Sequence, residues 1–408
     1  MYDVAIIGGG AAGLCAAVYL KQQNNALNVV VLEALDRVGK KLITTGNGRC
    51  NITNSNLKNC FYHSQTPNLI NIENNKFGIK TTLEFFKKIG VEIVFEQNGK
   101  AYPASYQASS VVDALRFSAE ENGVEIICNC CVTDFKFNNQ EYTIITENSN
   151  IMAKNIIFAT GLYSGGVKLG STGKAFNLLK AKGFKFEKTT PAIVQLKTEN
   201  TITKQLKGIK IDAAASIYFN NKKINSNFGE VLFTEYGLSG PAIMALSREV
   251  ERNKGEFKVL LDCVPNFNEQ QLKEMILQRV ENLKNRTTQD FLTGFLNKRL
   301  GQVILKLANI PLNISSAELE LKDIKKLCNL IKNLEFKVLA TTGFINSQVT
   351  AGGIALSEVN LQTMCSKKHK GLYIIGEILD IDGDCGGYNL QWAWTSAFTA
   401  ANSILKGI

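Results

Sequence analysis

Histidine is nearly missing from this chain. Its 408 residues include two, His63 and His369, and His369 lies in a lysine-rich turn. A histidine-built zinc site or a Ser-His-Asp triad therefore has no material to form from. No apolar run is long enough for a transmembrane helix, since each is short and punctuated. Strand patterning begins at residue 2 or 3, so no signal peptide is expected. The ten cysteines show no C-x-x-C or C-x₄-C around Cys50 or Cys385, the spacing a dithiol redox site would need. Cys128, Cys130 and Cys131 form a C-x-C-C without a second ligand pair, so no metal site is expected. Free thiols without a secretion signal fit a reducing compartment, and the expected location is cytoplasmic. Internal repeats and low-complexity tracts are absent. The formal net charge is +10, with lysine far outnumbering arginine, yet no basic run with interleaved aromatics stands out. The charge is read as a compositional bias, and nucleic acid is not an expected partner.

Glycine, by contrast, is placed with purpose. Asp3-Val4-Ala5-Ile6-Ile7 runs into Gly8-Gly9-Gly10-Ala11-Ala12-Gly13, an apolar strand breaking into G-x-G-x-x-G. Gly8 permits the tight turn, Gly10 lets backbone approach a pyrophosphate, and Gly13 lets the following helix pack on the sheet. That helix then presents free N–H groups and its positive dipole end to phosphates. A second strand, Asn28–Leu32, ends in Glu33, 20 residues after Gly13, where a carboxylate would accept from ribose hydroxyls. A plain NAD site would continue with another helix. Instead Asp36–Lys41 leads into Thr44-Thr45-Gly46-Asn47-Gly48-Arg49-Cys50-Asn51-Ile52-Thr53-Asn54, a loop rich in hydrogen-bond donors. Such a loop suits the longer ribityl-diphosphate body of FAD. No second G-x-G-x-x-G follows a strand, so NAD(P)H, if it is the electron donor, must dock transiently.

The run Thr45–Asn54 resembles the signature of the BaiN-like (YhiN-like) family of NAD(P)/FAD-dependent oxidoreductases. Two further segments carry the same resemblance: Glu230–Ala242, and Gly371–Glu377 through Gly383–Ala393. It spans the whole chain. It implies an α/β fold, a Rossmann-like FAD-binding domain with an inserted β-barrel-like plus helical cap domain. Val349–Ile354 is similar to the T-x-G-G segment beside FAD in fumarate-reductase-type flavoproteins. Within this fold class the acid after Gly376 commonly bonds ribityl or diphosphate hydroxyls, which makes Glu377 the candidate and Asp380 and Asp382 lesser neighbours. The family motif usually carries a histidine after Phe233-Thr234, and this chain has Glu235 there instead.

Organisation follows the texture of the sequence. Residues 1–190 read as the first part of the FAD domain, 191–337 as the insert and 338–408 as the second part. Helices are expected at 79–89, 106–121, 174–182, 268–283 and 316–332. Strands are expected at 124–136 and 141–147, forming a small antiparallel ribbon, at 156–161 as a buried parallel strand, and at 192–196, 210–219 and 256–264 in the insert. Gly386 and Gly387 open a last helix with Asn389 as a plausible cap. Aimed at the flavin's N1–C2=O edge, that helix N-terminus would stabilise the charge that reduction places there.

The expected cofactor set is Gly8, Gly10, Ala11, Ala12, Gly13, Glu33 and Ala34; Lys41, Gly46, Asn47, Gly48, Arg49, Cys50 and Asn51; Cys131 and Val132; Ala159, Thr160 and Gly161; and Gly376, Glu377, Gly386, Gly387, Tyr388, Asn389 and Leu390. Catalytic candidates are Glu235, Tyr236 and Arg49. The expected activity is FAD-dependent hydride exchange between flavin N5 and a small organic substrate, with NAD(P)H as the donor. The resemblance implies reduction of an activated C=C bond or oxidation of an amine. A flavin-dependent tRNA-modifying enzyme and a non-enzymatic flavin sensor are the alternatives.

Overall fold

The computed structural model describes residues 1–138 and 140–407. The chain divides into two units, Met1–Pro191 with Phe344–Ile408, and Ala192–Gly343.

The first unit is built on parallel strands. Tyr2–Ile7 lies at the centre, flanked by Val29–Leu32 on one side and Asn150–Phe158 on the other. Glu125–Ile127 extends the sheet beyond Val29–Leu32, and Leu372–Ile374 extends it beyond Asn150–Phe158, both in parallel. Val4–Ile7 and Val29–Leu32 are buried throughout. Continuous apolar runs are what a parallel strand covered on both faces requires. Helix Ala11–Gln23 covers the sheet and packs closely against the last helix, Tyr388–Gly407. Trp394 and Phe398 of that last helix are fully buried. In the ribbon Val132–Asn138 with Glu141–Thr146, the second strand alternates half-buried and buried residues, as a sheet with one wetter face should.

The second unit contains a closed six-stranded antiparallel barrel, formed by Leu196–Thr198, Gly237–Ser239, Lys222–Phe233, Lys210–Phe219, Phe257–Asp262 and Leu334–Thr341 in that order. Ala213, Ala215, Ile217, Val231, Phe233, Val259 and Leu261 fill its interior. Helices Glu269–Asn282, Lys298–Leu307 and Leu321–Lys332 complete the unit. The first starts with a reciprocal pair in which Asn268 and Gln271 satisfy each other's backbone donors.

Three expectations need correction, and one strand was not expected at all. The insert runs to residue 343, not 337, because Leu334–Thr341 closes the barrel between Leu196–Thr198 and Phe257–Asp262. Residues 124–136 are two strands in different company, Glu125–Ile127 in the parallel sheet and Val132–Asn138 in the ribbon. Residues 316–332 are a short turn and then Leu321–Lys332, which Glu320 and Asp323 start afresh with a reciprocal cap of their own. The 12-residue strand Lys222–Phe233 had no sequence signal, since its first seven residues are all exposed and polar or singly apolar. A hairpin tip wetted on both faces leaves no alternation to read.

Candidate cofactor site

The glycines of the first turn divide by what surrounds them. Gly8 has φ +106°, and a Cβ there would lie 2.7 Å from the Ala159 carbonyl oxygen. A Cβ on Gly13 would lie 1.9 Å from the Gly8 carbonyl oxygen. Protein packing alone demands both. Gly10 differs: a Cβ there meets nothing within 4 Å, and its φ of −84° is open to any residue. Packing leaves that space empty at the N-terminus of helix Ala11–Gln23, where a pyrophosphate would sit.

Glu33 ends its strand as expected. Its carboxylate accepts from Gly9 N–H at 2.8 Å and from Leu35 N–H at 2.9 Å. Asn129 N–H donates to Leu35 C=O, and Cys130 N–H donates to Glu33 C=O, both at 2.8 Å. This pairing sets Asn129 and Cys130 beside Leu35 and Glu33, with Cys131 and Val132 next along the chain. Ala159 is tied to the first strand through Ile7 C=O at 2.9 Å, which brings Ala159, Thr160 and Gly161 to the same turn.

Gly376 approaches helix Ala11–Gln23 so closely that a Cβ would lie 3.1 Å from that of Ala12. Its N–H donates to Ser396 Oγ at 3.0 Å, and its carbonyl accepts from Trp392 Nε1 at 3.1 Å. The last helix therefore holds the end of the Leu372–Ile374 strand. Beside it, Lys41 Nζ contacts Glu377 at 2.7 Å and Ser164 Oγ at 3.1 Å. Ser164 Oγ–H and Thr350 N–H also donate to Glu377, at 2.6 and 3.2 Å. Thr350 Oγ1 in turn accepts from Tyr163 N–H at 3.2 Å and Ser164 N–H at 3.0 Å. Lys41 and Glu377 were read from the sequence as cofactor residues. Ser164 and Thr350, which fix them, were not, although Thr350 lies in the T-A-G-G run.

The signature loop Thr45–Asn54 is locked to the start of the last helix. Gly46, Asn47 and Gly48 take φ values of 57°, 56° and 81°, a sharply turned loop. The Asn51 amide accepts from Gly387 N–H at 3.0 Å and donates to Thr53 C=O and Ala101 C=O. Asn54 Nδ2 donates to Gly386 C=O at 2.9 Å, Thr53 Oγ1 to Gln391 at 2.6 Å, and Trp394 Nε1 to Ile52 C=O at 3.0 Å. A Cβ on Gly387 would lie 2.4 Å from the Thr53 carbonyl oxygen. Helix Tyr388–Gly407 makes its first internal bond from Gln391 N–H to Gly387 C=O. The N–H groups of Tyr388, Asn389 and Leu390 precede that bond and, among the described residues, find no acceptor at its positive end.

Asn389 does not cap this helix. Its amide accepts from Gly383 N–H and donates to Gly383 C=O, both at 2.7 Å, bracing the preceding turn. Arg49 engages an aromatic ring and an acid. Its guanidinium lies 4.8 Å over the Tyr102 ring and 3.6 Å from Glu96. Burial pushes the Cys50 thiol up to about 12 and raises Cys385, so both stay protonated at neutral pH and neither is poised for thiolate redox chemistry. Glu235 and Tyr236 belong to the second unit. Glu235 is exposed and paired with Lys207 at 2.7 Å, which holds its carboxyl below the usual range. His63 is paired with Asp384 at 2.7 Å. Among the described residues no cluster could hold a metal ion, and no helix is long and apolar enough to cross a membrane.

The residues at Gly10, Glu33, Gly376 and the two helix N-termini fit a dinucleotide: an unfilled cradle, an acid at the strand end and open N–H groups. Comparison with known proteins decides the class. The model of the HI0933-like protein Rossmann domain matches residues 2–403. The chain belongs to this family. It is 33% identical, over the full length of both chains, to the 3-dehydro-bile acid delta(4,6)-reductase of Clostridium scindens. It is 27% identical to the ribosomal RNA dihydrouridine synthase of Haemophilus influenzae over 98% of each chain, and 26% identical to that of Escherichia coli over 99% of this chain and 98% of that one. Among solved structures, a quinol-fumarate reductase shares the fold with a TM-score of 0.52 and 14% identity, over 99% of this chain and 71% of that one. This member of the HI0933-like family is a flavin-dependent oxidoreductase with a Rossmann FAD-type fold, as the sequence led us to expect.

Proposed function

We propose that this protein reduces a C=C bond conjugated to a carbonyl in a small organic substrate, using FAD and drawing electrons from NAD(P)H. The observation that carries the reading is the unbroken likeness to a bile acid reductase, 33% over every residue of both chains. The dihydrouridine synthases point to the same chemistry, because uridine becomes dihydrouridine by adding hydrogen across a C=C bond conjugated to a carbonyl.

FAD, when bound, supplies the two-electron chemistry, and this chain supplies its placement. Gly10 and the N-terminus of helix Ala11–Gln23 would hold the diphosphate, Glu33 the adenosine ribose, and Lys41 with Glu377 the ribityl region. The open N–H groups of Tyr388, Asn389 and Leu390 would face the edge on which negative charge develops.

The test is anaerobic addition of NADH and then NADPH to the FAD-loaded protein, followed by a 3-oxo steroid carrying 4,6-unsaturation. Bleaching of the flavin within seconds, then recovery of its absorbance on adding the enone, is expected. A flavin that neither nucleotide bleaches removes the donor from the reading. A chemically reduced flavin that no conjugated enone reoxidises removes the reaction.

A second reading, reduction of uridine in RNA, has the net charge of +10 and the dihydrouridine synthase likeness in its favour. It predicts co-purifying RNA and dihydrouridine formed in a ribosomal RNA transcript.

A further inference from the structure

The signature loop ends in an arrangement that flavin binding does not use. Arg49 lies 4.8 Å over the ring of Tyr102, and Tyr102 stacks on Tyr106 at 5.6 Å with 30° between the rings. Tyr102 is almost fully covered, at 3% exposure, while Tyr106 remains 40% exposed and the Arg49 side chain 45%. The stack thus buries its middle member and offers its two outer members to solvent.

Three features set this apart from ordinary surface packing. Tyr106 takes φ +52°, a strained conformation for a bulky residue and one that clusters at ligand clamps. The turn that imposes it, closed by Tyr106 N–H to Pro103 C=O at 2.8 Å, joins the strand Lys100–Pro103 to the helix Ala108–Glu121 and keeps the ring facing out. Arg49 has five N–H donors, and among the described residues its guanidinium makes no hydrogen bond; its only anion, Glu96, stands off at 3.6 Å. The stack also lies within the first unit next to the last helix's start: Asn51, two residues on from Arg49, bonds Gly387, and Ala101, next to Tyr102, bonds Asn51.

We infer that Arg49, Tyr102 and Tyr106 form a docking platform for a pyridine nucleotide, with the exposed face of Tyr106 stacking on one of its ring systems and the Arg49 guanidinium bonding its phosphates. The combination of an exposed aromatic face with an unengaged guanidinium matches a ligand that carries planar rings and phosphates on one short body. No second G-x-G-x-x-G follows a strand in the sequence, so a donor nucleotide would dock on a surface of this kind. The inference rests on the reading that NAD(P)H is the electron donor.

The experiment titrates NADP⁺ and NAD⁺ into the oxidised, FAD-loaded protein, followed by calorimetry and by perturbation of the flavin spectrum. Tyr106→Ala should weaken binding of the preferred nucleotide by ~10-fold, as expected for the loss of one aromatic stack, while Tyr106→Phe stays within about 3-fold. Arg49→Gln should weaken it comparably and flatten its dependence on salt. Flavin absorbance per protein is the control, because a general loss of the site would lower it. Wild-type affinity in both Tyr106→Ala and Arg49→Gln overturns the platform. So does displacement of the nucleotide by neither variant but by loss of flavin. A wild-type protein that binds neither nucleotide overturns the platform and the choice of donor together. Turnover of the conjugated enone by dithionite-reduced protein would then still leave the reductase reading standing. Tight binding of an RNA oligonucleotide, abolished by Tyr106→Ala, with no binding of NADP⁺ or NAD⁺, assigns the platform to RNA and refutes the inference.

Discussion

Gly10 and Gly13 are two glycines of one motif, and the structure assigns them different work. Gly10→Ala adds a methyl that touches nothing within 4 Å, at a φ of −84° that alanine adopts freely. Alanine is a poorer N-cap than glycine by up to about 1 kcal/mol. It also stiffens the unfolded chain, which returns about 0.4–1 kcal/mol. The two nearly cancel, so the FAD-free protein should melt within a degree or two of wild type. The bound diphosphate would feel the methyl directly. Losing one or two hydrogen bonds to a charged group, at about 1.5–3 kcal/mol each, weakens FAD by roughly 10-fold to 10⁴-fold. Gly13→Ala behaves in the opposite way. Its Cβ would lie 1.9 Å from the Gly8 carbonyl oxygen, and only backbone movement relieves that contact. Overpacking of this kind costs about 1–3 kcal/mol, more than the gain of about 1 kcal/mol in helix propensity. The assay is thermal melting of both flavin-stripped variants, followed by FAD titration through quenching of flavin fluorescence. If Gly10→Ala takes up FAD with wild-type affinity, the cradle is not where the diphosphate lies. If its apoprotein melts as early as that of Gly13→Ala, packing and not the cofactor explains the glycine.

Three further outcomes follow from other parts of the first unit. Lys41→Met leaves the Glu377 carboxylate with Ser164 and Thr350 as its protein donors and should cost about 1–3 kcal/mol in chemical denaturation, the lower range for a pair that is only partly buried. The double variant Lys41→Met/Glu377→Gln should recover part of that loss, and an additive loss would contradict the pairing. Asp380 is fully buried, and Ser64 Oγ–H and Gln65 N–H donate to one of its oxygens while the other has no partner among the described residues. Burial raises its carboxyl above the ordinary range, and Asp382 and Glu187 act in the same direction. An acid raised in the folded state contributes stability below its unfolded value of about 3.9, and loses it as pH rises through the folded value. Asp380→Asn should therefore gain on wild type in melting temperature between pH 4 and pH 8, and a difference that does not change with pH would refute the assignment. Thiol titration with Ellman's reagent should label Cys60, which is exposed, well before the buried Cys15, Cys50 and Cys263. Rapid modification of Cys50, whose thiol burial pushes up to about 12, would contradict its surroundings.

The turn around Gly8 was readable because part of its constraint is local, in Gly8's positive φ and in its contact with Gly13. The clash that forbids a side chain at Gly13 comes from Gly8, five residues away. A strand such as Val29–Leu32 announces its burial through four consecutive apolar residues. The signature loop carries no such internal record. Asn54 bonds Gly386 across 332 positions and Thr53 bonds Gln391 across 338, and nothing in the local pattern of either segment names the other. The same limit explains Asn389. At the start of a helix an asparagine is an ordinary cap, and only the folded chain shows its amide turned back to Gly383. It also explains the end of the insert, since Leu334–Thr341 is recognisable as a barrel strand only through partners more than 70 residues upstream.

These long-range bonds share one element. The helix Tyr388–Gly407 receives Thr53 at Gln391 and Ile52 at Trp394, bonds Gly376 through Trp392 and Ser396, and has Asn51 and Asn54 on the two glycines ahead of it. Trp394 is 0% exposed and its ring packs edge-on against Phe86, so its indole is fixed by packing as well as by its bond to Ile52. Trp394→Phe keeps most of the apolar volume and removes the donor to Ile52 C=O. It should cost about 1–3 kcal/mol, the penalty for a buried carbonyl left unpaired plus the lost volume. If the helix is what aligns the signature loop with the cofactor, FAD affinity must fall along with stability in this variant, although Trp394 itself lies almost two turns beyond the helix start. Loss of stability with undiminished FAD affinity would show that the loop holds its geometry without the helix, and the convergence of the two segments would then be packing alone.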